Sequence, residues 1–125
     1  MADDGLLKDG NDLYYAGDFP GAEKAYRRSV ELNPKNKGIL QASLNNLGVV
    51  LSDLEKYDEA ETVLRKALEM DPKFGMIWYN LGNVLHDLKR FDEAEEAHRR
   101  AKELGHGRVP RMPFIPRIPF VPRFG

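Results

Sequence analysis

The chain has 125 residues, no cysteine and a net charge of −1, with 31% charged and 42% apolar residues. That length fits one domain with a modest core, and the missing thiols exclude disulfides, thiolate zinc sites and cysteine nucleophiles. The charge is unevenly placed: residues 1–107 hold 15 lysines and arginines against all 20 acids, a balance of −5, whereas 108–125 hold four arginines and no acid.

The start, Met1-Ala2-Asp3-Asp4, is acidic and lacks an apolar core, and no apolar run reaches the ~18 residues of a membrane span. A cytoplasmic protein is therefore expected, with no membrane partner. Basic residues interleave with acidic ones, as on solvated helix faces, so no nucleic acid is expected either.

Leu6, Leu7, Gly10, Leu13 and Tyr14 fall at helical spacing until Gly17-Asp18-Phe19-Pro20 interrupts them. Pro20 suits the first turn of a second helix, whose buried stripe is Ala22, Ala25, Tyr26, Ser29, Val30 and Leu32. Asn33-Pro34 stops it. The extra residues Lys35-Asn36-Lys37-Gly38 lengthen the start of the third helix by about one turn, and Ile39, Leu40, Leu44, Leu47 and Leu51 give that helix its period. A fourth helix runs from about Tyr57 to Met70, with Ala60, Val63, Leu64, Ala67 and Leu68 inward, before Asp71-Pro72. Trp78, Leu81, Gly82, Leu85 and Leu88 define a fifth helix, and Phe91, Ala94, Ala97, Ala101 and Leu104 a sixth. His98 takes the place of Tyr26 and Leu64 in that last helix and reads as a half-exposed capping position.

The helices repeat in pairs. Gly10, Phe19, Ala22 and Pro34 return 38 residues later as Gly48, Tyr57, Ala60 and Pro72, and the first three again 34 residues further as Gly82, Phe91 and Ala94. The glycines and alanines are small so that paired helices can approach closely. An all-α solenoid of three antiparallel helix pairs follows, at about 3–36, 41–74 and 75–106, with 107–125 as a separate tail.

The 34-residue unit resembles the tetratricopeptide repeat, best in WYNLGNVLHDLKRFDEAEEAHRRA (78–101) and LNNLGVVLSDLEKYDEAETVLRKALEMDP (44–72). The resemblance implies a right-handed superhelix whose first helices line a concave groove for a peptide or protein terminus, without catalysis. Some members of the family hold chaperone C-termini with a two-carboxylate clamp of asparagines and cations. At the matching positions, Leu7, Asn11, Asn46, Met76 and Asn80, the cations are missing, so chaperone C-termini are not expected as partners. Asn46 and Asn80 are similar to the asparagine ladder with which other members hold a peptide backbone, since an amide offers both donor and acceptor. Asn11, Tyr14, Tyr15, Asn45, Val49, Asp53, Tyr79, Asn83, His86 and Asp87 are expected around them, with Leu7.

The tail, RVPRMPFIPRIPFVPRFG, carries proline at every third residue, Pro110, Pro113, Pro116, Pro119 and Pro122, which favours a polyproline II helix. One edge then alternates Arg111, Phe114, Arg117, Phe120 and Arg123. This pattern is that of a ligand rather than a linker. It is expected to be recognised as a linear motif by another protein, to lie in a groove like the chain's own with self-association as one outcome, or only to cover the apolar end of the last helix pair. Its arginines are out of register for ligands of Src-homology-3 domains.

No catalytic residues, metal site or cofactor are expected. His86, His98 and His106 lack metal-ligand spacing, no strand precedes a glycine-rich loop, and Ser29, Ser43 and Ser52 lack a matching His and Asp set.

Overall fold

A computed structural model describes residues 4–106, and the expectations for the tail, from Pro110 to Arg123, lie outside them. Among the described residues there are six α-helices and no strand: α1 (Asp4–Tyr15), α2 (Phe19–Leu32), α3 (Lys37–Asp53), α4 (Tyr57–Met70), α5 (Gly75–Asp87) and α6 (Phe91–Glu103). The connections are three or four residues long, which makes neighbours antiparallel. Each helix packs on the next, and the first helices α1, α3 and α5 also touch one another in a row.

The tight turns inside the three pairs are the same turn. Asp18, Lys56 and Arg90 each donate a backbone N–H to the carbonyl five residues back, on Leu13, Leu51 and Leu85. The residue before each donor is left-handed: Gly17 (φ 86°), Glu55 (φ 62°) and Lys89 (φ 61°). This is the Schellman closure of a helix end, for which glycine is the unstrained choice. Asp18 then caps α2 by accepting from Gly21 N at 2.9 Å, and Asn36 caps α3 by accepting from Ile39 N at 3.1 Å. The residues inserted before the second pair do lengthen α3, to 17 residues against 12 in α1 and 13 in α5.

Packing explains the small residues. A Cβ on Gly48 would stand 2.5 Å from Leu64 Cγ, one on Gly10 2.6 Å from Tyr26 Cδ1, and one on Gly82 2.5 Å from His98 Nε2. Each glycine thus receives the residue that fills the middle of its partner helix. The core runs through all three pairs and is densest around α3, where every residue from Ala42 to Ser52 is buried. One expectation of burial is corrected: Leu32 is exposed at the end of α2. Trp78 is half-buried, its indole N–H turned to donate to Pro72 O at 2.7 Å.

The second helices are tied by a repeating ion-pair motif. Glu23 pairs with Arg27 on its own helix and with Lys56 of the next unit at 3.1 Å; Glu61 likewise pairs with Arg65 and with Arg90 at 2.6 Å. Burial opposes ionisation of Glu23 and Glu61, but hydrogen bonds from these cations prevail and hold both carboxyls below the usual range.

Candidate peptide-binding groove

The face built by α1, α3 and α5 carries the residues expected to bind a peptide, and its centre is a chain of amides. Asn80 Nδ2 donates to Asn45 Oδ1 at 2.8 Å, Asn45 Nδ2 to Asn46 Oδ1 at 3.2 Å, and Asn46 Nδ2 to Asn11 Oδ1 at 2.8 Å. The Tyr26 hydroxyl closes the chain by donating to the same Asn11 Oδ1 at 2.6 Å. Burial pushes the Tyr26 phenol far above its ordinary value, with Asn46 opposing, so it remains a protonated donor. The chain runs through all three helix pairs.

Its burial alters the picture drawn from sequence. Asn46 and Asn80 keep only 0% and 2% of their surface, and Asn45 and Asn11 1% and 7%. Donors expected to face a peptide are engaged with one another, and Asn45 is the link between Asn46 and Asn80. Val49, at 1% exposure, is a core residue beneath this row.

Two aromatic and charged clusters flank the amides. On the first-pair side, the Tyr14 hydroxyl donates to Asp53 Oδ2 at 2.6 Å, joining α1 to α3. The Tyr14 ring packs against Phe19 at 5.2 Å and edge-on against Tyr15 at 5.6 Å, and Tyr15 is 63% exposed. On the third-pair side, Tyr79 lies between His98 and His106, at ring distances of 5.4 and 5.2 Å. His98 Nε2 is 3.1 Å from Asn83 Oδ1, where its N–H tautomer donates. His86 meets Phe91 edge-on at 5.0 Å, with half-buried Asp87 following it in sequence. Burial holds the His98 and His106 imidazoles below their ordinary value, and His86 adds to the effect on His98.

Tyr26, His98 and His106 were not expected at this face. For Tyr26 and His98 a signal existed: both lie opposite a glycine of their own pair, so both tips reach the row of first helices. His106 follows α6 and returns over Gly75, a path set by left-handed Gly105 (φ 87°). Among the described residues, no group of His, Asp and Glu is arranged to hold a metal. Nor is any described helix long and apolar enough to cross a membrane.

Sequence models of the family described as "Tetratricopeptide repeat" match residues 10–73 and 45–108. The chain belongs to the tetratricopeptide repeat family. Among solved structures it is similar to the second such domain of Spaghetti (RPAP3), with a TM-score of 0.73 and 21% identity over 83% of this chain and 93% of that one. The first domain of Spaghetti matches at a TM-score of 0.72 and 21% identity, over 80% of this chain and 76% of that one. The Arabidopsis OM64 domain matches at 0.74 and 23%, over 83% of each.

Both Spaghetti domains are bound to the HSP90 peptide SRMEEVD. This overturns the expectation that chaperone C-termini are not partners for a chain of this kind. That expectation rested on the absence of cations at Leu7, Met76 and Asn80. The missing cations are therefore no ground for setting such partners aside.

Proposed function

We propose that this chain is a non-catalytic protein-interaction module that takes an extended peptide segment along α1, α3 and α5, and that a basic, proline-rich segment like 108–125 suits it. The supporting observation is the arrangement of that face. A row of buried amides joins the three first helices, with an aromatic cluster joined to Asp53 on the first-pair side and Tyr79 between two imidazoles on the third. The buried amides, bonded to one another, fix the helices that carry these groups, while tyrosines and carboxylates favour apolar and cationic side chains. Complementary charge adds to this, since residues 1–107 carry −5 and 108–125 carry +4. Polyproline II advances about 9.3 Å per three residues, close to the ~10 Å between packed helices, so one tail residue in three can meet each first helix.

The test is calorimetric titration of three peptides, residues 108–125, the same residues scrambled, and SRMEEVD, into the full chain and into a chain ending at residue 106. Saturable binding of the 108–125 peptide that weakens about tenfold on Asp53→Lys with Asp87→Lys supports the reading. Absence of binding at high micromolar concentration to either protein overturns it. Binding of SRMEEVD alone would place acidic chaperone tails in the groove and remove the proline-rich class.

A further inference from the structure

Between the second helices α4 and α6, with α5 as its floor, lies a cleft of 330 Å³ that the groove reading does not use. Its apolar part comes from Trp78, with Leu81 and Leu85 closing the bottom. The two leucines are buried, so the apolar surface on offer is the half-buried indole. The ring is fixed by its N–H, which donates to Pro72 O at 2.7 Å, and the Arg100 guanidinium stands 5.6 Å from its centroid. A fixed indole that stays partly open is the kind of surface on which proline-rich segments dock.

The polar part is acidic. α6 contributes Asp92, Glu93 and Glu96, and α4 contributes Arg65. Most of these charges are already matched: Arg65 pairs with Glu61 at 2.9 Å, Arg99 with Glu96 at 2.6 Å, and Arg90 with Glu93. Asp92 differs, being exposed and, among the described residues, paired with no cation. The stretch of α5 from Trp78 to Leu85 is about 10 Å long. Arg90 N bonds to Leu85 O, which brings the start of α6, and with it Asp92, to the Leu85 end. The cleft therefore suits a ring and a cation about 10 Å apart.

The chain's own C-terminal segment has that chemistry. Three residues of polyproline II advance about 9.3 Å, and Arg111, Phe114, Arg117, Phe120 and Arg123 alternate at this step among prolines, with no acid. The segment also starts in the right place. A Cβ on Gly75 would lie 3.0 Å from His106 Cβ, and Trp78 is about one helical turn from Gly75. From there the indole is met before Asp92, which is the N-to-C order of Phe114 and Arg117. Residues 106–114 reach about 25 Å in polyproline II, enough to round the end of α6.

We infer that residues 108–125 dock in cis on this cleft, with Phe114 and its flanking prolines against Trp78 and the Arg117 guanidinium on Asp92. The face of α1, α3 and α5 then stays open to a segment of another molecule, so this inference and the groove reading stand or fall separately. A short flexible connection gives an effective concentration on the order of 1 mM, so a contact worth only ~100 µM by itself is made about nine-tenths of the time.

Trp78 is the single tryptophan of the chain, so its fluorescence reports on the cleft. Acrylamide quenching is measured on the full chain, on Asp92→Lys and on Phe114→Ala with Arg117→Ala. Quenching should at least about double in both variants, as the docked tail is released. Equal quenching in the native chain and the tail variant, whose six helices are unaltered, would overturn the docking. An effect of the tail variant without one of Asp92→Lys would overturn the pairing of Arg117 with Asp92. The native shielding should persist from about 100 µM to about 1 µM protein, and its loss on dilution would overturn docking in cis. Asp53→Lys with Asp87→Lys should leave Trp78 as shielded as before. If that variant instead exposes Trp78, the tail lies in the groove, and this inference falls while the groove reading stands.

Discussion

The outer and middle helix pairs solve one packing problem with different chemistry. Asn11, Val49 and Asn83 occupy equivalent positions on the first helices, and Tyr26, Leu64 and His98 occupy equivalent positions on the second. In the middle pair both partners are apolar. In the first pair a buried phenol donates to an asparagine, and in the third an imidazole does so. All three second-helix residues press on a glycine. The geometry therefore asks only for a side chain of sufficient size opposite that glycine. What its tip does is free to vary, and in the outer pairs the tip organises polar groups of the groove. The middle pair, covered on both sides, supplies cohesion instead.

Four measurements would break or sharpen this contrast. The largest effect is expected from Leu64→Ala, which empties the centre of the molecule and should lower the unfolding free energy by about 2–5 kcal/mol in denaturant titration. A cost below that of the outer substitutions would show that the middle pair is not the cohesive one. Next, Tyr26→Phe should cost about 1–2 kcal/mol by removing a buried hydrogen bond without changing shape. An unchanged melting curve would mean that the phenol contributes no stability.

The third measurement concerns acid. Because burial lowers the folded-state pKa of His98 and His106, the unfolded chain binds protons first. Their neutral forms are fully compatible with the fold above the unfolded value of about 6.5, and stability is lost as pH falls below it. Melting temperatures should drop as the pH falls below about 6.5, and His98→Leu, which copies Leu64, should flatten part of that slope. A pH profile insensitive to His98→Leu would place the acid response elsewhere. The smallest effect is a gain. Glu55 and Lys89 hold the left-handed conformation that Gly17 adopts freely, so Glu55→Gly and Lys89→Gly should each stabilise by about 0.5–1 kcal/mol. Either substitution proving destabilising would show that the side chain outweighs the backbone strain.

The helix pairs were legible because their signals are local and repeated. A 3.6-residue period, Asn33-Pro34, Asp71-Pro72 and glycines at a constant offset act within one unit. The added turn of α3 was readable for the same reason, as four residues out of phase. The face of each asparagine was less so. Asn45 and Asn46 are adjacent, about 100° apart around the helix, and periodicity allows either to look outward. Their bonds to Asn80 and Asn11 depend on how α5 and α1 lie against α3, which no single unit encodes. Leu32 shows the same limit: its spacing suits a stripe, but at the last residue of α2 nothing covers it.

The start of α3, beyond its added turn, has a dynamic consequence. Just after that turn, Gln41 lies at the far end of α4, where its Nε2 donates to Ala67 O at 3.2 Å; Gly75, its counterpart in the third pair, lies beside Ala101 O but has no side chain to do so. Ala67 O is also the acceptor of the last backbone bond of α4, from Asp71 N at 3.4 Å. Fraying of that end therefore has to break a contact made by another helix. At the corresponding end of α2, Asn33 bonds back to Ser29 O at 2.8 Å, four residues earlier on its own helix. In hydrogen–deuterium exchange, the final amides of α4 should gain protection from Gln41 and lose it in Gln41→Ala, while those of α2 are unmoved. A single side chain at the start of one helix thus works as a splint on the end of its neighbour.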